Sequence, residues 1–398
     1  MQQNLFRFTG YTAAILLPLA LVFLSPIYGL IAWAIGFMLF GKWRPKFWPM
    51  LLFAAFLDWE LISIYWSGNR TAGWSDLIMV LPIGLMGIIV HGVVVEDGRH
   101  WGRRFADVFA WATTLCWTGI FSYSMYSSGW VSYKDFALVE RLGIHFQSLY
   151  LIIAALILER RIWTESKQVR WASAAAVIWL VVGIILLSSR IHLLTIPLLM
   201  VLRFVELYRR KPLWRKYIVR WGIICLTLIS TIVLVLPGPS KRVWDLVNEV
   251  KSMNGMVEGK QTNHRIFLWQ YGIEIIKDAP VIGVGNGYGE DVLHEKLLAS
   301  KAKFYKKKEA YYLHEFRYDF HNVWIQSWVE GGIIAFVLMA GIFLWGLTHS
   351  TGSMSYAWIT LLMSSMTESL WDKQAGVFLL TFMVALTALS SRKHQSLR

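Results

Sequence analysis

The chain has 398 residues, of which 56% are hydrophobic and 16% charged, with a mean hydropathy of +0.48; a soluble domain carries about 25% charged residues. Its 39 Lys plus Arg against 25 Asp plus Glu give a net charge of +14. That excess would suggest nucleic acid in a soluble protein, but the apolar residues arrive in membrane-spanning blocks, and cytoplasmic loops of membrane proteins collect Lys and Arg.

The soluble, disordered and disulfide-scaffold classes are thereby excluded, and the chain reads as an all-α polytopic membrane protein. No nucleic-acid partner is expected. The 22 Trp and 16 Tyr suit belts at headgroup level. The two cysteines, Cys116 and Cys225, sit in apolar stretches without metal spacing, and no disulfide is expected. Apolar sequence from Tyr11 follows Arg7 with no small-residue cleavage site, so it is read as a first span.

A helix crosses the hydrocarbon with about 20 apolar residues, and the sequence offers about twelve such stretches. In chain order they are Tyr11–Leu24, Ile27–Gly41, Phe47–Trp66, Leu77–Val95, Phe105–Ser127 and Ile144–Leu158. Trp171–Leu187, Ile191–Glu206, Ile218–Leu236, Asn322–Leu347, Tyr356–Leu370 and Ala375–Leu389 complete the set. With the N-terminus inside, cytoplasmic loops hold Lys42/Arg44/Lys46, Arg99/Arg103/Arg104, Arg160/Arg161/Lys167/Arg170 and Arg209/Arg210/Lys211/Arg215/Lys216. The short outer loops carry few cations, and this asymmetry sets the orientation, with both termini inside.

Three regions are expected: spans over 1–236, a large helical loop outside the cytoplasm over 237–321, and three last spans with a cytoplasmic tail over 322–398. Within the loop, Arg265–Lys277 reads as an amphipathic helix, with Ile266, Trp269, Ile273 and Ile276 at helical spacing. Long loops cross the membrane largely regardless of their charge, so the loop's lysines do not contradict the orientation.

Arg190, in Ser188-Ser189-Arg190-Ile191-His192, stands between two apolar stretches with almost no loop. A cation at such depth marks a functional site unless it snorkels to the interface. Arg265 opens the amphipathic helix, which ends in Asp278-Ala279-Pro280-Val281-Ile282-Gly283-Val284-Gly285-Asn286-Gly287. Pro280 stops the helix, and Gly283 and Gly285 let the backbone approach something closely, a ligand or simply a tight turn. Without a β-α-β context, this run is not a dinucleotide fingerprint.

His321 opens a span near a helix N-terminus, whose dipole is expected to keep the imidazole neutral and able to accept a proton. Asn322, Gln326 and Glu330 recur every four residues and place a polar stripe on one helix face, which must meet protein or a water-filled cavity. Cap residues and a structural hydrogen-bonder are the plainer alternative. Asp58, Glu60, Glu368 and Asp372 are read mainly as structural. The run Lys301, Lys303, Lys306, Lys307, Lys308 suits an anionic headgroup or phosphorylated sugar, with a solvated charge run as the alternative. No His/Asp/Glu cluster has clear metal spacing.

Taken in order, these features resemble the bacterial O-antigen ligase and O-antigen polymerase superfamily. The motifs are Ser-Ser-Arg190, then Arg265 with Trp269 leading into the Asp278–Gly285 run, then His321-Asn322 through Glu330-Gly331-Gly332, and lastly Thr367-Glu368-Ser369. They cover about residues 185–372. The resemblance implies a multi-pass enzyme of the bacterial inner membrane with its active site facing the periplasm. It implies an inverting, metal-independent transfer of a glycan from undecaprenyl pyrophosphate to an acceptor hydroxyl, with no cofactor. A ligase uses the lipid A–core as acceptor and a polymerase uses another lipid-linked repeat; the anionic core mildly favours the ligase through the lysine run. The resemblance implies that Arg190 and Arg265 bind the donor pyrophosphate and that His321 deprotonates the acceptor. Asn322, Gln326, Gly283, Gly285, Lys306 and Lys307 are the expected substrate contacts, membrane lipids the surroundings, and a monomer the expected state. A transporter of an anionic lipid-linked substrate is the rival of another class.

Overall fold

The computed structural model describes residues 2–21, 26–128, 143–210, 215–235, 240–241, 244, 264–299 and 317–391. Fourteen α-helices run through these residues. They are α1 (Gln2–Leu16), α2 (Pro26–Phe40), α3 (Phe47–Ser63), α4 (Arg70–Gly92), α5 (Gly98–Ser128), α6 (Ile144–Thr164) and α7 (Lys167–Leu187). Then come α8 (Arg190–Arg210), α9 (Arg215–Val235), α10 (His264–Asp278), α11 (Gly289–Ala299), α12 (Val323–His349), α13 (Ser353–Ser365) and α14 (Gln374–Ser390). Among the described residues, strand is confined to a two-residue ladder pairing Lys42 with Val94 and Trp43 with Val93. The all-α class expected from composition holds.

Among the described residues, five helical stretches are long and apolar enough to cross a membrane: Phe47–Trp66, Arg70–Gly92, Lys167–Leu187, Arg190–Arg210 and Val323–His349. Helices α2 and α14 are shorter apolar helices. Where their residues are described, the other expected stretches also lie largely on helices. Length and apolarity thus support a multi-pass membrane protein without fixing twelve crossings.

The chain divides into two compact units. The first joins residues 1–112 to 257–398. Its helix α14 is apolar all round, and every residue from Ala375 to Leu389 is buried, as a helix enclosed by protein requires. Phe382 of α14 lies 5.4 Å from Trp33 of α2 and 5.2 Å from Phe109 of α5, ring centre to ring centre. In lipid such contacts hold helices together by packing, since lipid tails are as apolar as the side chains.

A second core in this unit is built by Leu268 and Ile275 of α10, Leu293 and Leu297 of α11, Phe320, and Val329 of α12. The amphipathic helix expected over Arg265–Lys277 is present as α10, but its buried stripe runs through Leu268 and Ile275, while Ile273 is 48% exposed. The helical period was legible; which arc met a partner depended on where α11 and α12 lie.

The second unit spans residues 113–256. Trp117 packs on Gly183 of α7, and Trp179 donates to Thr118 Oγ1 at 2.9 Å. Arg203 of α8 ties Glu159 of α6 at 3.0 Å and Glu206 at 2.7 Å. Helix α7 ends at Ser188, which adopts a left-handed conformation (φ 53°), and α8 begins two residues later with Arg190. His192 of α8 is fully buried, its ring 4.6 Å from that of His145.

Candidate functional site

The site in the first unit is shaped by glycines. After α10 the chain turns at Pro280 and runs against α12, where Val284 N–H donates to Val329 O (2.8 Å) and Gly285 N–H to Glu330 O (2.9 Å). Helix α12 accommodates this by breaking at Gly332 (φ 66°, ψ −165°), and Ile333 N–H donates to Pro280 O at 3.1 Å. The loop therefore takes over carbonyls that an unbroken helix would bond internally. Gly283 (φ 70°) and Gly285 (φ 99°) are required because a Cβ would overlap backbone: that of Glu330 at Gly283, that of Ser67 at Gly285. What these two glycines approach is protein. Their N–H groups are spent on Ala279 and Glu330, so as ligand donors they are already engaged.

This clamp fixes the start of α12. Asn322 caps the helix, its side-chain oxygen accepting from Trp324 N–H (2.9 Å) and Ile325 N–H (3.1 Å), while its amide donates to Met366 O (3.1 Å). Just before the cap, His321 is held in the left-handed region (φ 46°), a conformation costing about 1–2 kcal/mol outside glycine. The local network sustains it: His321 N–H donates to Asp319 Oδ1 (2.9 Å), and Trp269 Nε1–H of α10 donates to Phe320 O (2.9 Å).

His321 Nδ1 lies 2.8 Å from Asp319 Oδ1 and 3.5 Å from Glu368 Oε2, ion-pair contacts rather than aligned hydrogen bonds. Arg265 of α10 donates to the other oxygen of the same Glu368. Glu368 thus bridges the guanidinium and the imidazole. Burial would lower the imidazole pKa, but Asp319 and Glu368 outweigh it and raise it to about 9. This departs from the neutral ring expected at a helix N-terminus: two carboxylates in contact act more strongly than a dipole. Burial pushes the Asp319 carboxyl up, yet His321 and Lys373 hold it below its ordinary value.

Deeper in the same unit, Glu60 of α3, Asp76 of α4, Gln326 and Glu330 of α12, Asn286 and Asp372 surround a small cavity. Gln326 Nε2 donates to Asp372 Oδ1 at 3.0 Å. The polar stripe read from Asn322, Gln326 and Glu330 therefore meets protein and a cavity, as a buried stripe must.

Of the expected site residues, Arg265 and His321 come together through Glu368. Asn322 serves as a cap, and Gln326 lines the cavity. Arg190 belongs to the second unit, half-buried at the first turn of α8. Lys306 and Lys307, with the rest of the lysine run, lie outside the described residues. Asp319 was missed, although its position two residues before His321 was a usable signal. Glu368 was read as structural; nothing local in the sequence shows that its carboxylate meets α10.

No curated protein matches the chain. Residues 175–340, which include Arg190, Arg265 and His321, match the family described as O-Antigen ligase, which supports the O-antigen ligase and polymerase superfamily without distinguishing ligase from polymerase.

Proposed function

We propose that the protein is a membrane glycosyltransferase that moves a glycan from undecaprenyl pyrophosphate to a hydroxyl of the lipid A–core at the periplasmic face of the inner membrane. The observation that carries this reading is Glu368, a carboxylate held between a guanidinium and an imidazole. A pocket that holds one anion between those two groups can receive another. Guanidinium suits the paired oxygens of a phosphate and stays ionised in a dry site.

In this reading Arg265 and Arg190 grip the pyrophosphate, and the negative charge that develops there as the sugar departs is stabilised by both. The acceptor oxygen attacks the anomeric carbon from the opposite face, the bond to pyrophosphate breaks, and the acceptor proton passes to His321, so that configuration inverts. With Nδ1 turned to the carboxylates, Nε2 is the nitrogen left for the proton. No metal takes part in this transfer step. A positioned base contributes roughly a hundred- to ten-thousandfold, and preorganised charge at the leaving group about a hundred- to thousandfold per donor group.

The test is the lipopolysaccharide of a deletion strain complemented with wild type, Arg190→Ala, Arg265→Ala or His321→Ala. Full-length chains left on the lipid carrier support the ligase, and a core capped by a single repeat indicates a repeat-unit polymerase with the same donor site. Normal glycan attachment in all three variants refutes the site. Purified protein in liposomes separates transfer from transport: movement of the lipid-linked glycan without a new glycosidic bond overturns the enzymatic reading.

A further inference from the structure

A cavity near the proposed transfer site has a volume of about 30 Å³ and an acidic lining that the transfer reading does not use, Gln326 alone having been expected to touch substrate. Four carboxylates line it, from Glu60, Asp76, Glu330 and Asp372, along with the amides of Asn286 and Gln326; among the described residues no cationic side chain does. The negative charge continues past its wall, where carboxylate oxygens of Glu290, Asp319 and Asp372 all lie within 4.8 Å of one another. The nearby cations lie outside the lining: His321 stands 2.8 Å from Asp319, Lys373 is 3.9 Å from Asp319 and more than half exposed, and Arg317 pairs with Asp291.

The lining is only partly satisfied by protein. Asn286 Nδ2 donates to Glu60 O at 3.4 Å, and Gln326 Nε2 to Asp372 Oδ1. Asp372 Oδ2 is buried with no hydrogen-bond partner. Glu330 is 9% exposed, and its carboxyl sits against the start of α11, where a Cβ on Gly289 would come 2.8 Å from Oε1. Among the described residues, the Glu330 carboxyl makes no hydrogen bond or ion pair, while its backbone carbonyl accepts from Gly285.

Two like charges about 5 Å apart repel by about 3 kcal/mol even at an effective dielectric of about 20. A lining with four carboxylates, one of them the unpartnered, buried Glu330, therefore calls for positive charge inside it. The donors are all oxygens, carboxylate and amide, the set that hard divalent ions select. At about 10–15 Å³ for a water-sized guest, there is room for an ion with one or two waters.

We propose that this cavity binds a hard divalent cation of the calcium or magnesium kind, held by Glu330 and Asp372 with Glu60 and Asp76. The ion ties α3, α4 and α12 to the segment before α14. Its role is structural, and the proposal stands apart from the glycan-transfer reading.

Full-length protein purified in detergent, first stripped with a chelator, is titrated with Tb³⁺ while tryptophan is excited; Trp371 lines the cavity and sensitises a lanthanide there. Saturable emission displaced by Ca²⁺ or Mg²⁺ is expected. Glu330→Gln weakens the affinity at least about tenfold, and Asp76→Asn, an independent variant should the first fail to fold, does the same. Asp58→Asn, which removes an exposed carboxylate of α3 outside the lining, leaves the titration unchanged. The proposal is overturned by emission that neither Ca²⁺ nor Mg²⁺ displaces, by wild-type titrations in Glu330→Gln and Asp76→Asn, or by the absence of saturable binding. It is equally overturned by an infrared carboxylic-acid band at neutral pH that Glu330→Gln removes, since protons would then supply the missing charge.

Discussion

Arg265 donates to Glu368, a residue 103 positions further along the chain, and the second oxygen of that carboxylate stands 3.5 Å from His321 Nδ1. One acidic side chain thus occupies the space between the two groups to which the proposed chemistry assigns the leaving phosphate and the acceptor proton. This carboxylate holds both cations in place and shields each from the other. A pyrophosphate arriving at Arg265 competes with Glu368 for the guanidinium, and any movement of Glu368 that follows changes the charge beside His321.

Glu368→Gln separates these two effects. With one carboxylate gone, Arg265 faces an incoming phosphate with less competition, so undecaprenyl pyrophosphate is expected to bind more tightly, by up to about tenfold, or 1.4 kcal/mol. Above about pH 9, where the imidazole is unprotonated in both proteins, turnover is expected to fall, because His321 loses one of the charges that hold its ring. Calorimetric titration gives the first quantity and single-turnover transfer the second. Unchanged affinity together with unchanged turnover would mean that the bridge plays no part in the reaction.

The pH dependence follows from the same contacts. Burial lowers the His321 pKa, the carboxylates of Asp319 and Glu368 together raise it by more, and the result is about 9. A base must be unprotonated to act, so kcat/KM, which reports the free enzyme, is expected to rise with pH towards a limb near 9. Removing a carboxylate destabilises the imidazolium, so Asp319→Asn shifts that limb to lower pH. A limb that stays in place in Asp319→Asn would dissociate the titration from this histidine. Stability carries the same sign: a pKa raised in the folded state stabilises fully below about 6.5 and loses that contribution as pH rises through about 9. The thermal midpoint of wild type should accordingly decline over that window more steeply than that of His321→Asn.

Arg190 is assigned to the leaving phosphate because a guanidinium presents two parallel N–H groups to two oxygens. Arg190→Lys keeps the charge and loses that fork, so transfer is expected to fall at least about tenfold, with Arg190→Ala falling about a hundred- to thousandfold. Both are read as transfer rates of protein whose insertion is verified. Wild-type rates in Arg190→Lys would show that a point charge suffices there.

What the sequence disclosed, and what it withheld, follows the range of the interactions. Apolar blocks and their punctuation are local, so α3, α4, α7, α8 and α12 were legible, as was the cap at Asn322 in front of an apolar run. The polar stripe of Gln326 and Glu330 was legible too, because helical spacing puts both on one face. Its partners were not: Glu60, Asp76 and Asp372 reach the same cavity from three distant segments, and no spacing rule links them. The protonation of His321 was misjudged for the same reason. A helix terminus is visible in sequence, whereas the approach of Glu368 from beyond α13 is a tertiary event. Gly283 and Gly285 announced a close approach but not its object, which proved to be the backbone of this chain.

Gly283 and Gly352 make a matched pair for testing that clamp. Both have positive φ, 70° and 60°, so alanine at either meets backbone strain of about 1–3 kcal/mol. Around Gly352 an added Cβ meets nothing within 4 Å, whereas at Gly283 it overlaps the carbonyl groups of Val329 and Glu330. Those are backbone atoms of α12 and cannot rotate away. The loop must retreat, and the bonds from Val284 and Gly285 to Val329 and Glu330 go with it, each worth about 1 kcal/mol. Beyond that strain, Gly283→Ala is therefore expected to lose about 2 kcal/mol that Gly352→Ala keeps. Thermal unfolding of the two variants in the same detergent measures the gap. Equal losses would mean that the loop does not clamp α12. A larger loss at Gly283 alone, accompanied by loss of transfer, would tie the geometry of His321 and Glu330 to the backbone ladder that holds them.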